Sequence, residues 1–406
     1  MSEKRKPVIV TFKTKAEPNI VMETTEAEGL QFTYTSALRV ADFTPDIEPE
    51  TVGIVMETAK AVSASLTEAA IEKLKANPEI ESIEEDSEIY AFEEPLTRHP
   101  TWEPYEARPP IGPLFPIRCG YTDRIPWGVN RIDAERAWEV TQGKGIRVAI
   151  ADTGIDFNHP DLRNNFRGGA SFVPTEASLM DHNSHGTHVA GTVAAVRNCQ
   201  GVVGVAPSAY LYAVKVLNAR GSGRWSYLIA GLEWCIRHRM DIVNMSLGAD
   251  RAPSLVERVC NIAYNRNILL VAAAGNCRGG PVSHPAKYKS VMAVSAIDDR
   301  NNWAAFSCKG PEVELCAPGV NVLSTLPGNR YGNKSGTSMA APHVAGAAAL
   351  AISSHRYAIA HKGVPLIRRL LTWTADNLGV PGRDPLFGYG VVDAEQAAFE
   401  RRIPPP

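Results

Sequence analysis

Three glycine-framed segments each present one side chain able to move a proton or attack carbon: Asp152 in VAIADTGID, His185 in HGTHVAGT and Ser338 in SGTSMAAPHVAG. A serine hydroxyl is a poor nucleophile at neutral pH, so acyl transfer needs an imidazole to take its proton and a buried carboxylate to hold that imidazole in one tautomer. His185 and Asp152 suit those two roles. Asn276 adds a fourth group. It follows Gly275 at the end of the apolar run ILLVAAAGN, where its amide can donate to a developing oxyanion, with the Ser338 backbone N–H as second donor.

These groups need a scaffold to bring them together. GIRVAIAD carries no charge between Arg147 and Asp152 and reads as a fully buried parallel strand, as do LYAVKVL, DIVNMSL, ILLVAAA and SVMAVSA. Such strands separated by helical stretches predict an α/β fold whose site forms beyond the carboxyl ends of the strands, where Asp152 and Asn276 fall. His185 and Ser338 open helices of small residues: Gly186, Ala190 and Gly191 follow the histidine, and Ala340, Ala341, Ala345, Gly346 and Ala347 follow the serine. Pro342 is placed in the first turn of the second helix, where a missing N–H is tolerated, so the nucleophile stands at a positive helix end.

The segments IPWGVNRIDAERAW, HGTHVAGTVAA, GVAPSAYLYAVKVL, TLPGNRYGNKSGTSMAAPHVAGAAAL and FGYGVVDAEQAA span about Ile125 to about Ala397, and over that length the chain resembles the subtilisin-like serine peptidases. The chain order Asp, His, Ser is that family's order. The resemblance implies a three-layer, parallel-sheet α/β domain that hydrolyses peptide bonds through an acyl-enzyme, with Asp152, His185 and Ser338 as triad and Asn276 as oxyanion donor. It also implies a cleft in LNARGSGRWSYLIAGLEW, where Gly221, Ser222 and Gly223 bind substrate as an added edge strand. Trp225 and Leu228 then border the pocket for the fourth residue before the cut, and Ser246, Leu247, Gly248, Ala273, Ala274 and Gly275 wall the primary pocket. Main-chain binding favours broad specificity. No Asp or Glu stands in those walls, so large apolar or aromatic residues are expected before the cut rather than Lys or Arg.

A different unit precedes this domain. VIVTFK reads as a strand, and SASLTEAAIEKLKANP as a helix opened by a capping box of Ser65 with Glu68 and closed before Pro78. ASLTEAAIEKLKANPEIESIEEDSEIYAF resembles the end of the family's inhibitory propeptide, whereas residues 14–50 match it poorly. The resemblance implies a small α+β domain over residues 1–92 that plugs the cleft with Ile89, Tyr90, Ala91 and Phe92, so that the enzyme is made as a self-inhibited zymogen. Residues 93–121 form a proline-rich stretch with the composition of an extended linker. The catalytic domain is placed at 122–400 and a short tail at 401–406. Processing after Phe92 and processing near Tyr121 both fit this arrangement.

The family's tight calcium site implies Ca2+ here too. Asp123, Asp161 and Asn198 match its side-chain positions, and Val196, Gln200 and Val202 its carbonyl positions, which makes a set of oxygen donors for a hard cation. Arg197 and Cys199 depart from the usual loop residues.

Composition bounds the remaining classes. With 406 residues, 44% hydrophobic and 21% charged, the chain is long enough for more than one globular unit. A formal net charge of -2 argues against an electrostatically driven nucleic-acid partner, and no apolar run has membrane-spanning length. The expected partners are polypeptide substrates and the chain's own propeptide. The first residues show no secretory signal, and the 7 cysteines read as buried small residues rather than a disulfide framework, which together predict a cytoplasmic address, with secretion as the alternative. Asp-Thr-Gly also marks aspartic peptidases, but these need a second such triplet, and none occurs. His188 lacks the glutamate of an HExxH zinc pair and, with His159 and His343, reads as structural. A non-catalytic binding protein that keeps the fold is the alternative; such proteins usually lose a triad member, and here all are present.

Overall fold

A computed structural model of the chain describes residues 5–13, 54–94 and 123–400. Most of the proline-rich linker, with Cys119 and Tyr121, and the tail from Arg401 lie outside the described residues.

In the N-terminal unit, β1 (Lys6–Phe12), β2 (Ile54–Met56), β3 (Ala61–Leu66) and β4 (Ile80–Glu85) form an antiparallel sheet in the order β2-β3-β1-β4, with α1 (Glu68–Lys75) leading from β3 to β4. Both faces of this sheet are covered. Alternation along β1 sends Val8, Val10 and Phe12 toward Leu66, Ile71 and Leu74, while Ile9 joins Ile54, Met56 and Ala61 on the opposite face. The Ser65–Glu68 capping box is corrected: Ser65 lies in β3 opposite Pro7, and Thr67 Oγ1 caps α1 by accepting from Ala70 N at 3.2 Å. Pairing of β3 with β1 claims Ser65 for the sheet and moves the helix start onward.

The unit ends in β5 (Glu88–Ala91), and the described chain resumes at Asp123. Short helices α2 (Trp127–Arg131) and α3 (Ala134–Ala137) lead into β6 (Arg147–Asp152), β7 (Phe166–Ser171), α4 (His185–Ala194) and β8 (Tyr210–Lys215). β9 (Ser222–Arg224), α5 (Trp225–Arg237), β10 (Ile242–Met245), β11 (Leu247–Gly248), α6 (Ser254–Asn265), β12 (Leu269–Ala273) and β13 (Val291–Ile297) follow. The chain closes with β14 (Val313–Pro318), the hairpin β15 (Val322–Leu326) and β16 (Arg330–Lys334), and helices α7 (Thr337–Ser354), α8 (Arg356–Trp373, kinked at Gly363) and α9 (Ala394–Phe399).

Seven parallel strands make the central sheet, in the order β14-β13-β12-β10-β6-β8-β7. Its inner strands are largely apolar because each faces a core on both sides. Val148 and Ile150 of β6, with Leu269 and Val271 of β12, pack toward α4, α7, α8 and α9; Ala149, Ala151, Leu270 and Ala272 pack toward α5 and α6. Each large side chain removed from water in this way contributes about 1.5–3 kcal/mol. The result is a three-layer α/β domain. Chain order splits at β6, with β8 and β7 added on one side and β10 to β14 on the other. A crevice therefore opens between β6 and β10, beyond Asp152 and Ser246.

Two expectations change. Cysteines are not all free: Cys277 and Cys308 form a disulfide and Cys199 is also disulfide-bonded, whereas Cys235, Cys260 and Cys316 are free and buried. Pro342 lies beyond the first turn of α7, which starts at Thr337. Its missing N–H frees the Ser338 carbonyl four residues earlier, and Ser246 Oγ donates to that carbonyl at 2.9 Å.

Candidate active site

Asp152 is the last residue of β6 and is fully buried. His185 is the first residue of α4, and its Nδ1 lies 2.8 Å and 2.9 Å from the two Asp152 carboxylate oxygens. The turn before α4 is anchored by Asp181, whose buried carboxylate accepts from Asn183 N, Ser184 N, Thr187 N and the hydroxyls of Thr153 and Thr187. That position went unread in the sequence, although the Asp-His-Asn-Ser cluster is a turn signal.

Ser338 is the second residue of α7. Its Oγ donates to Ser246 O at 2.8 Å and accepts from Phe92 N at 3.1 Å, while His185 Nε2 is buried without a hydrogen-bond partner among the described residues. Closing a proton relay requires the hydroxyl to leave the Ser246 carbonyl for that nitrogen. Asn276 accepts through Oδ1 from Thr337 N at 3.0 Å and Thr337 Oγ1 at 2.9 Å, which orients its amide. Nδ2 is thereby left buried and without a partner among the described residues. Gly336, with φ of 151°, leaves room for the peptide passing over it: a Cβ there would stand 2.3 Å from Phe92 O, 3.2 Å from Glu93 Cα and 3.3 Å from Asn276 Nδ2.

Burial disfavours the His185 imidazolium, but Asp152, helped by Glu93, outweighs it and raises the pKa above the ordinary histidine value. The other histidines of the neighbourhood behave as structural groups. His188 is pushed down to about 3 by burial and binds Val322 O and Gly332 O through Nε2; His343 is pushed down to about 4 and its Nδ1 meets Met339 O at 2.8 Å. His159 accepts from Asp161 N through Nδ1 at 3.1 Å.

The cleft holds β5. This strand lies between β9 and β11, antiparallel to both, with Ile89 opposite Gly223, Tyr90 opposite Ser222 and Gly248, and Ala91 opposite Leu247. Ala91 N donates to Gly221 O at 3.0 Å and Phe92 N reaches Ser246 O at 3.4 Å. Ile89 is fully buried in the apolar cluster that contains Trp225 and Leu228. The Phe92 ring lies against Gly248, where a Cβ would come within 3.0 Å of its edge. Ala273 and Ala274 are fully buried at the end of β12, and Gly275 packs against Cys308 and Ser283. Beyond the Phe92–Glu93 peptide, Glu93 pairs with Lys334 and Glu94 N donates to Ser335 O at 2.8 Å. Neither Glu93 nor Lys334 stood out in the sequence, because their meaning depends on each other across 241 residues.

The six residues anticipated around a calcium ion are gathered by one loop. Asp123 Oδ1 accepts from Asn198 N at 3.0 Å and Gln200 N at 3.2 Å; Asp161 accepts from Asn198 Nδ2 and Val202 N, both at 3.0 Å, and its own carbonyl from Val196 N at 2.8 Å. Burial raises the Asp123 pKa. Two carboxylates held by N–H donors, an amide and loop carbonyls fit a hard cation in kind. Among the described residues, no group of three or more His, Cys, Asp or Glu converges on a metal position.

Comparison with known proteins adds to this geometry. Residues 143–390 match the subtilase family. The chain is 44% identical over 342 residues to the thermostable alkaline protease of Halalkalibacterium halodurans, covering 84% of each. It is 50% identical over 274 residues to subtilisin Savinase of Lederbergia lenta, 67% of this chain and 98% of that one. Against subtilisin E of Bacillus subtilis the identity is 41% over 362 residues, 87% of this chain and 85% of that one. With a sheet of parallel strands between helical layers and these matches over most of its length, the chain belongs to the subtilase family and is a serine endopeptidase.

Proposed function

We propose that Ser338 is the nucleophile, His185 the general base and acid, Asp152 the group that orients the imidazole, and Asn276 Nδ2 with the Ser338 N–H the oxyanion donors. A bond forms from Ser338 Oγ to the scissile carbonyl carbon while the hydroxyl proton passes to His185 Nε2. The carbon–nitrogen bond then breaks and that proton goes to the leaving amine. Water repeats the sequence on the acyl-enzyme, releasing the acid and restoring the hydroxyl. The observation that carries this reading is the Phe92–Glu93 peptide lying across Gly336, with Ser338 Oγ on Phe92 N and unpartnered Asn276 Nδ2 beside it.

The N-terminal unit acts as an inhibitory propeptide, and the first cut falls after Phe92. Pairing of β5 in the cleft supports this, as do the apolar surroundings of Ile89 and Phe92, which also favour a large apolar or aromatic residue before the cut. In the test, full-length wild type separates into two pieces whose new termini are Phe92 and Glu93, whereas Ser338→Ala stays intact. Intact migration of both would favour the non-catalytic binding reading. Asn276→Ala should lower kcat about 10²–10³-fold, a magnitude measured on subtilisin, a relative of this chain.

Calcium, held by Asp123, Asp161 and Asn198 with the carbonyls of Val196, Gln200 and Val202, would clamp the loop against local opening. A chelator should shorten the thermal half-life of the mature enzyme, and an unchanged half-life would remove the site. Disulfides at Cys277–Cys308 and Cys199 persist in oxidising surroundings, which favours secretion over a cytoplasmic address. No helix among the described residues is long and apolar enough to cross a membrane.

A further inference from the structure

We propose that Lys334 makes the position immediately after the cut selective for an acidic residue. The inference rests on the peptidase reading above and names a substrate class for it. Lys334 ends β16, four residues before Ser338, and its backbone is fixed by pairing with Val322 across the hairpin. Its Nζ donates to both carboxylate oxygens of Glu93, at 2.7 Å and 2.8 Å, and with Glu93 seated its side chain is only 10% exposed. Glu93 is the residue whose amine would leave when the Phe92 carbonyl is attacked.

Charge at such a depth is the basis of selectivity. An ammonium shielded from water needs a counter-charge, and among the described residues Lys334 has no ion-pair partner except Glu93. From α4, His185 and His188 feel the Lys334 charge, and the carboxylate beside them, Asp152, is held by His185. When Glu93 departs, water answers the Lys334 charge until a substrate covers the ammonium again, and no other described carboxylate pairs with it. A substrate with Glu or Asp at that place restores the pair, a neutral residue leaves it unanswered, and Lys or Arg adds repulsion. The next position reads charge weakly: Glu94 lies 3.9 Å from Arg278, whose side chain is 81% exposed. Discrimination is thus concentrated on one residue. The cleft becomes two-part, apolar where Ile89 and Phe92 sit and cationic directly beyond the cut.

The test uses the mature enzyme and internally quenched peptides that share Ile-Tyr-Ala-Phe before the cut and carry Glu, Gln or Lys after it. Wild type should cleave them in that order of kcat/KM, with Glu over Lys by at least about tenfold, and the ratio should shrink as salt is raised. Lys334→Met should level the series and Lys334→Glu should invert it. Equal rates, or a preference for Lys, in the wild type overturn the proposal, and this arm needs no variant to fold. A preference for Glu that survives Lys334→Met overturns the assignment to Lys334. Wild-type hydrolysis of Ile-Tyr-Ala-Phe p-nitroanilide, which has no residue after the cut, separates the two readings: its absence defeats the peptidase mechanism, and its presence beside a flat peptide series defeats this inference alone.

Discussion

His185 is fully buried, an environment that ordinarily expels a proton, yet its pKa is raised because burial is outweighed by Asp152 and reinforced by Glu93. A general base must be neutral, so self-cleavage of the precursor should slow as pH drops through that raised value. Glu93→Gln removes one of the upward influences and leaves Lys334 opposing the imidazolium. The acid limb of the self-cleavage rate should then move to lower pH, as a pH–rate profile of precursor processing would record, and an unmoved limb would remove Glu93 from the account. At this scale the sequence was most readable where chemistry demands a residue type in a small-residue frame, as at Asp152, His185, Ser338 and Asn276. Asp181 and Lys334 were opaque for a different reason. Each gains its role from partners that only folding brings near, Thr153 and Thr187 for the one and Glu93 for the other.

Helices α5 and α6 both begin without a side-chain cap of their own. The N-terminal unit supplies both caps: Asp86 accepts from Ser226 N at 3.0 Å and Ser226 Oγ at 2.7 Å, and Glu84 accepts from Ser254 N at 3.0 Å and Ser254 Oγ at 2.8 Å. In the uncleavable Ser338→Ala chain, adding Asp86→Ala should cost about 1 kcal/mol, seen as faster amide exchange in the first turn of α5. The Cys277–Cys308 bond ties the turn after β12, next to Asn276, to the approach of β14. Replacing both cysteines with serine should lower stability by about 3 kcal/mol, read from a denaturant midpoint in the Ser338→Ala background. In the active enzyme the same change should reduce kcat more than it raises KM, because the amide donor loses its support. Strands β6, β8, β10, β12 and β13 were legible as predominantly apolar runs, with Lys215, Asn244 and Ser295 as the polar exceptions inside β8, β10 and β13. β7 and β14 were not: FRGGAS is interrupted by Arg167 and two glycines, and VELCAP carries Glu314, whose charge is answered by Arg368 Nε at 2.6 Å from the distant α8.

Across the whole molecule, the sheet of the N-terminal unit and helices α5 and α6 share one buried cluster. Glu233 of α5 sits at that junction, accepting from Ala59 N at 2.7 Å, and burial pushes its pKa up to about 7, with Arg237 opposing and Glu57 adding to the shift. A carboxyl whose folded value exceeds its unfolded one costs stability once the unfolded chain ionises and the folded one does not. The precursor should therefore lose stability as pH climbs from 4.5 to about 7 and change little from this group above that. Denaturation of Ser338→Ala at pH 5 and pH 8 should register the loss, and Glu233→Gln should flatten it. Two units were foreseeable from composition and resemblance, but the shared cluster was not, since β1 alone cannot say what will cover each of its faces. The seating of β5 has one more consequence. The chain enters the groove from Asp86 and is still held by its backbone at Glu94, and both are internal residues of the polypeptide, so neither a free amino group nor a free carboxylate helps to seat it. A groove open at both ends has no means of counting residues from a terminus, and it therefore directs cleavage to the middle of extended chains.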